Sequence, residues 1–93
     1  MLKYNYTFSD RLREAREYRG YKQTEVAEIA GLGATTYNHY ETGKTMPDVA
    51  TVFHLADVLG CPPSWLLGER IIVNGEQKQK PWDRHKEEHH EHL

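Results

Sequence analysis

The chain is short of cysteine, of long apolar runs and of surplus positive charge, and each shortage removes a class of answer. A single cysteine, Cys61, rules out an internal disulfide, so packing alone must hold the fold, as suits a reducing compartment. No apolar run approaches the roughly 18 residues a membrane span requires. The opening "MLKYNYTF" also lacks the long apolar stretch of a secretory signal. A cytoplasmic chain without membrane contact is expected. Twelve Lys and Arg against fourteen Asp and Glu leave a net charge of −2, so no global basic field attracts a polyanion. Any nucleic-acid contact must come from charge placed locally. Also missing are a glycine-rich phosphate loop, paired catalytic carboxylates and a supported Cys–His arrangement. Neither an enzyme nor a cofactor is therefore expected.

What is present is one small helical domain. Ninety-three residues leave room for a single core. In "FSDRLREAREYR", residues 8–19, Phe8, Leu12 and Ala15 recur at helical spacing, Ser9 or Asp10 can cap the start, and Gly20 ends the helix. A second helix of about two turns follows in "KQTEVAEIAG", with Val26, Ala27, Ile29 and Ala30 as its apolar stripe and Gly31 as its stop. The fourth, "VATVFHLADVLG", is the most strongly patterned. Asp48 is its expected N-cap, and Val49, Val52, Phe53, Leu55, Ala56 and Leu59 form a wide apolar face. Pro63 opens a short fifth helix through Trp65, Leu66 and Leu67.

Between the second and fourth helices lies "GATTYNHYETGK", small and polar beside two tyrosines. Tyr37 and Tyr40 are three apart and share one helix face, expected to pack with Val26, Ile29, Val52, Phe53 and Leu66. Ala34, Thr35, Asn38 and His39 follow an i, i+1, i+4, i+5 pattern on another face. Two short helices joined by "AGLG", the second exposing small polar side chains, match what a helix-turn-helix needs: one helix crosses the phosphate backbone and the next enters the major groove. Asn38 can bond bidentately to adenine, His39 can donate to guanine or a phosphate, and Ala34 or Thr35 can pack on a thymine methyl.

The ordered set of Gln23 opening the second helix, Ala27 and Gly31 around the turn, "YETGKTMP", "LADVLG" and "WLLGE" resembles the phage-repressor-like helix-turn-helix family of the Cro and XRE type over residues 8–69, about two thirds of the chain. The resemblance implies an all-α, compact five-helix lambda-repressor-like DNA-binding domain. It makes Ala34, Thr35, Asn38 and His39 base-facing and Lys22, Gln23, Thr42 and Lys44 phosphate-facing. It makes Arg16 and Glu41 a structural salt bridge tying the first helix to the end of the third. The sequence departs from many relatives in placing Gly33 and Ala34 where longer side chains are usual, and Lys22 where a Ser, Thr or Asn cap is usual. Arg11 and Arg13 are expected to join Lys22 and Lys44 in a basic rim.

The expected organisation is an N-terminal arm (1–7), the helix-turn-helix domain (8–69) and a weakly structured C-terminal extension (70–93). In the extension, "RIIVNGEQKQKPW" reads as a hairpin or a single extended segment. The end, "DRHKEEHHEHL", reads as a mobile or exposed charged tail. His85 with His89, and Glu88 with His92, are spaced for one helix face there, but a solvated tail is preferred over a metal site. The functional expectation is a sequence-specific double-stranded DNA-binding transcriptional regulator, a repressor in preference to an activator. It would bind an operator as a homodimer through residues near Cys61 to Trp65 or in the tail. The alternative is a module that binds a protein partner, as an antitoxin or antirepressor does, with weak or no DNA binding.

Overall fold

Five helices follow one another through the computed structural model, which describes residues 2–69, 71–73 and 76–78, with side chains described over 7–69. They are α1 (Leu2–Arg19), α2 (Gln23–Ala30), α3 (Ala34–Thr42), α4 (Val49–Leu59) and α5 (Pro63–Leu66). The expected all-α, five-helix class is observed. Helix α1 begins at Leu2, not Phe8, because no glycine or proline interrupts the chain before Gly20. Residues 2–7 are therefore the first turns of α1 and not a separate arm. Ser9, expected as a cap, lies buried inside the helix.

Beyond the helices, β1 (Ile71–Val73) pairs antiparallel with β2 (Glu76–Lys78), Val73 opposite Glu76 and Ile71 opposite Lys78. The hairpin form of the extension is thus the one observed. The charged end and its histidines lie outside the described residues.

The core draws on every helix: Phe8, Leu12 and Ala15 from α1, Val26 and Ala27 from α2, Tyr37 from α3, Val52, Leu55, Ala56 and Leu59 from α4, Trp65 and Leu66 from α5. Helix α2 has eight residues, too few to be stable alone, so docking against α3 and α4 sustains it. Two expected core residues are not there. Ile29 is 53 % exposed and Phe53 56 % exposed. The apolar face of α4 is wider than the surface available to cover it. Val52, Leu55, Ala56 and Leu59 are buried, while Val49 and Phe53, one turn apart, look outward.

Two arginines of α1 reach across to backbone carbonyls near the ends of α4 and α5. Arg19 donates from Nε to the Leu59 carbonyl at 2.8 Å and from Nη2 to the Gly60 carbonyl at 3.1 Å, at the C-terminus of α4. Arg11 donates from Nη1 to the carbonyls of Trp65 (2.5 Å) and Glu69 (2.7 Å), and its guanidinium lies 4.9 Å from the Trp65 ring centre. Arg19 places a cation at the carbonyl end of α4, and Arg11 ties the segment after α5 back to α1.

Asp48 caps α4 as expected, its carboxylate accepting from the Thr51 N–H at 2.9 Å. The side-chain hydrogen bond with Thr51 holds this carboxyl below its ordinary range. Because the folded pKa is the lower one, the cap's contribution is complete above the unfolded value and is lost as pH falls through the folded value. Asp48→Ala should lower the melting temperature at neutral pH, and the gap to the parent protein should narrow on acidification. Thermal melts across that pH range check both statements.

Candidate nucleic-acid interface

The turn between α2 and α3 is made by Gly31, whose φ of +73° is a left-handed conformation that side-chain-bearing residues rarely adopt. The Gly31 N–H donates to the Glu28 carbonyl at 3.1 Å and the Leu32 N–H reaches back to Ala27 at 2.8 Å, closing α2 with paired backward bonds. Leu32 then packs on the core, which fixes the direction in which α3 departs. At the other end of α2, Glu25 accepts from the Lys22 backbone N–H at 2.7 Å. This is only half of a capping box, because a lysine ammonium offers no acceptor in return.

Helix α3 has two sides. At 3.6 residues per turn, Ala34, Thr35, Asn38 and His39 fall within an arc of roughly 140°, Tyr37 and Tyr40 fall on the far side, and Glu41 falls at the edge next to Ala34, turned under the helix toward Arg16. Burial follows this division. Tyr37 and Glu41 are buried, Ala34 and Thr35 are exposed, and Asn38 and His39 are partly exposed. The four expected base-facing residues therefore share one accessible face. Thr36, not singled out by sequence, is exposed at its flank. Lys22, Thr42 and Lys44 are exposed and Gln23 is half-buried. Thr42 donates from its hydroxyl to the His39 carbonyl at 3.2 Å, and the Lys44 backbone N–H donates to the same carbonyl at 3.0 Å. Gly43 makes that return with a φ of +79°.

Beneath this face is a buried polar network. Arg16 holds Glu41 by a fork, Nε to Oε2 at 2.6 Å and Nη2 to Oε1 at 3.1 Å, and donates its remaining Nη1 to the Tyr21 carbonyl at 2.8 Å. Tyr37 donates its hydroxyl to Glu41 Oε2 at 2.5 Å, and Gln23 donates Nε2 to Oε1 at 2.9 Å. Asn38 then donates Nδ2 to Gln23 Oε1 at 3.1 Å. Hydrogen bonding to Glu41 holds the Arg16 guanidinium above its ordinary range, and burial, with the Glu41 bond second, pushes the Tyr37 phenol up. Among the described residues no buried side-chain nitrogen or oxygen lacks a partner, as a network in low dielectric requires.

The expected Arg16–Glu41 pair thus lies at the centre of a larger assembly, in which the docking of α2 against α3 brings Gln23 to Asn38. The expected basic rim shrinks. Arg11 is spent on Trp65 and Glu69, Arg13 pairs with Asp10 at 3.3 Å, and Lys22 and Lys44 are left beside α3. The expected pairing surface around Cys61 to Trp65 is also altered, because Cys61 and Trp65 are core residues. Burial pushes the Cys61 thiol up to about 11, which leaves it protonated and unreactive at neutral pH. No three His, Cys, Asp or Glu side chains cluster as metal ligands among the described residues. No described helix is long and apolar enough to cross a membrane.

A short docked helix, a glycine turn and a second helix with one face open define a helix-turn-helix protein. The chain belongs to that family, whose model, Helix-turn-helix, matches residues 12–66. It is similar to the SPbeta prophage-derived uncharacterized HTH-type transcriptional regulator YonR of Bacillus subtilis, 37 % identical over 60 residues that cover 64 % of this chain and 56 % of that protein. It is also similar to the cryptic phage CTXphi transcriptional repressor RstR of Vibrio cholerae, 39 % identical over 62 residues, 67 % of this chain and 56 % of that one. The chain spans about half the length of these curated relatives. Among solved structures, its fold resembles the P22 c2 repressor protein in complex with synthetic operator 9T, with a TM-score of 0.63 at 23 % identity, covering 66 % of this chain and 92 % of that one.

Proposed function

We propose that this protein is a sequence-specific double-stranded DNA-binding transcriptional regulator, a repressor, that inserts α3 into the major groove of an operator. The observation that carries the reading is the single accessible face of Ala34, Thr35, Asn38 and His39, held on a helix whose other side is locked by Tyr37 and Glu41. A nine-residue helix is roughly 14 Å long and spans only a handful of base pairs. The domain therefore acts as a homodimer on half-sites about 34 Å apart. Lys22, Gln23, Thr42 and Lys44 flank the face as its phosphate-facing rim, and Asn38 and His39 supply its polar discrimination. The regulators and the repressor among its relatives, and the operator complex of its structural neighbour, support this reading. Occupying an operator suffices to block polymerase, so no effector module is required for repression.

A second reading, a module that binds a protein partner, is favoured by one observation: Ile29, Val49 and Phe53 are apolar and more than half exposed. The two readings separate in one experiment. Selection from a random DNA pool should enrich a motif. Asn38→Ala should then relax preference at one base pair by about 1–3 kcal/mol, while Lys44→Ala weakens all sites alike. Failure to retain any DNA at low salt would transfer the function to the protein-partner reading.

A further inference from the structure

We infer that Glu41, although buried and away from the accessible face, makes Asn38 a reader of adenine and not guanine, by fixing the direction of the hydrogen bonds that run through Gln23. The inference rests on the DNA-binding reading and specifies one base choice within it.

A side-chain amide can face a neighbour with its oxygen or its nitrogen, and the two ends are nearly equal in shape. Two amides in series, Gln23 and Asn38, would ordinarily leave that choice open. Here it is closed from one end. Glu41, held by the Arg16 fork, offers only acceptors, so Gln23 must present Nε2 to it, as it does at 2.9 Å. The Gln23 oxygen is thereby directed at Asn38, which must answer with Nδ2, as it does at 3.1 Å. One Nδ2 hydrogen is consumed. What Asn38 retains is one N–H and the acceptor Oδ1, the complement of adenine N7 and N6. With the relay reversed, Oδ1 would be turned toward Gln23 and both Nδ2 hydrogens toward the open side, a donor pair suited to guanine N7 and O6 and not to the adenine N6 amino group. A carboxylate off the interface therefore selects between two purines, and Gln23 is the positioning residue that transmits the choice.

The test uses two variants that leave the Arg16–Glu41 pair intact. Gln23→Met keeps the length of the side chain and breaks the relay. Gln23→Lys supplies donors to both Glu41 and Asn38, which turns Asn38 round. Selection on the parent protein should give a motif in which the base pair that responds to Asn38→Ala prefers A over G by on the order of 10- to 100-fold. Gln23→Met should reduce that ratio by on the order of tenfold, and Gln23→Lys should favour G, with the other positions of the motif unchanged.

A parent protein that selects no motif would defeat the DNA-binding reading itself. A parent motif with the same A-to-G ratio in both variants would overturn the relay alone, as would a uniform loss of affinity without a change in ratio. A second measurement needs no DNA. In the free protein, the Asn38 side-chain amide, assigned by its disappearance in Asn38→Ala, should show one hydrogen shifted downfield and should lose that shift in Gln23→Met. An amide signal unaltered by Gln23→Met also overturns the proposal.

Discussion

Glu41→Ala is expected to remove about 3–5 kcal/mol of folding stability, the usual cost of deleting one partner of a buried ion pair. The Glu41 side chain is 2 % exposed and that of Arg16 13 % exposed, so water replaces the lost carboxylate poorly. Three groups lose their acceptor together: the Arg16 fork, the Tyr37 hydroxyl and the Gln23 amide. A domain of this size has roughly 5–15 kcal/mol in total, and each kcal/mol moves the midpoint by about 4–8 °C. The melting temperature should therefore fall by roughly 12–40 °C, measurable by circular dichroism. Most of that cost is the penalty of stranded partners and not the net value of the pair. Arg16→Met combined with Glu41→Leu should accordingly be less harmful than Glu41→Ala alone. A double variant as unstable as the single one would mean that the loss comes from packing instead.

The same network shows where sequence reading succeeds and where it stops. Helical spacing is a local property, so the accessible face of α3 and the glycine ends of α2 and α3 are legible from residues a few positions apart. Arg16 and Glu41 could be paired only through the family resemblance, being 25 positions apart. The Gln23–Asn38 bond spans 15 positions and carries no signature, because polar residues at those places suit a solvated surface equally well. Arg11 is the reverse case. Its charge suggests solvent, yet it caps a carbonyl 54 positions away, which only the docking of α5 against α1 decides. Ile29 and Phe53 fail for a related reason: periodicity identifies an apolar face but not how much of it a neighbour covers. The start of α1 escapes periodicity because Leu2, Tyr4, Tyr6 and Phe8 alternate and mark no single helix face, while the helix extends through them because no glycine or proline stops it.

Binding to DNA should be strongly but not extremely sensitive to salt, and the expected size follows from which cations α1 has already used. With Arg11 bonded to backbone carbonyls and Arg13 paired with Asp10, Lys22 and Lys44 are the exposed cations beside α3. In the proposed dimer, two per protomer would make about four phosphate neutralisations, hence a slope near −3.6 in log affinity against log salt. Raising salt from 50 to 200 mM should then weaken operator binding by about 10²-fold, well below the loss for proteins making six to ten such contacts. The net charge of −2 acts in the same direction, since no wider field adds to the local one. Lys22→Ala with Lys44→Ala should flatten the slope almost to zero while preserving the order in which operator variants are ranked, because in the proposed function the lysines hold phosphates and α3 reads the bases. Anisotropy titrations at graded salt give the slope directly. A double variant that keeps the parent slope would place the phosphate contacts elsewhere on the domain.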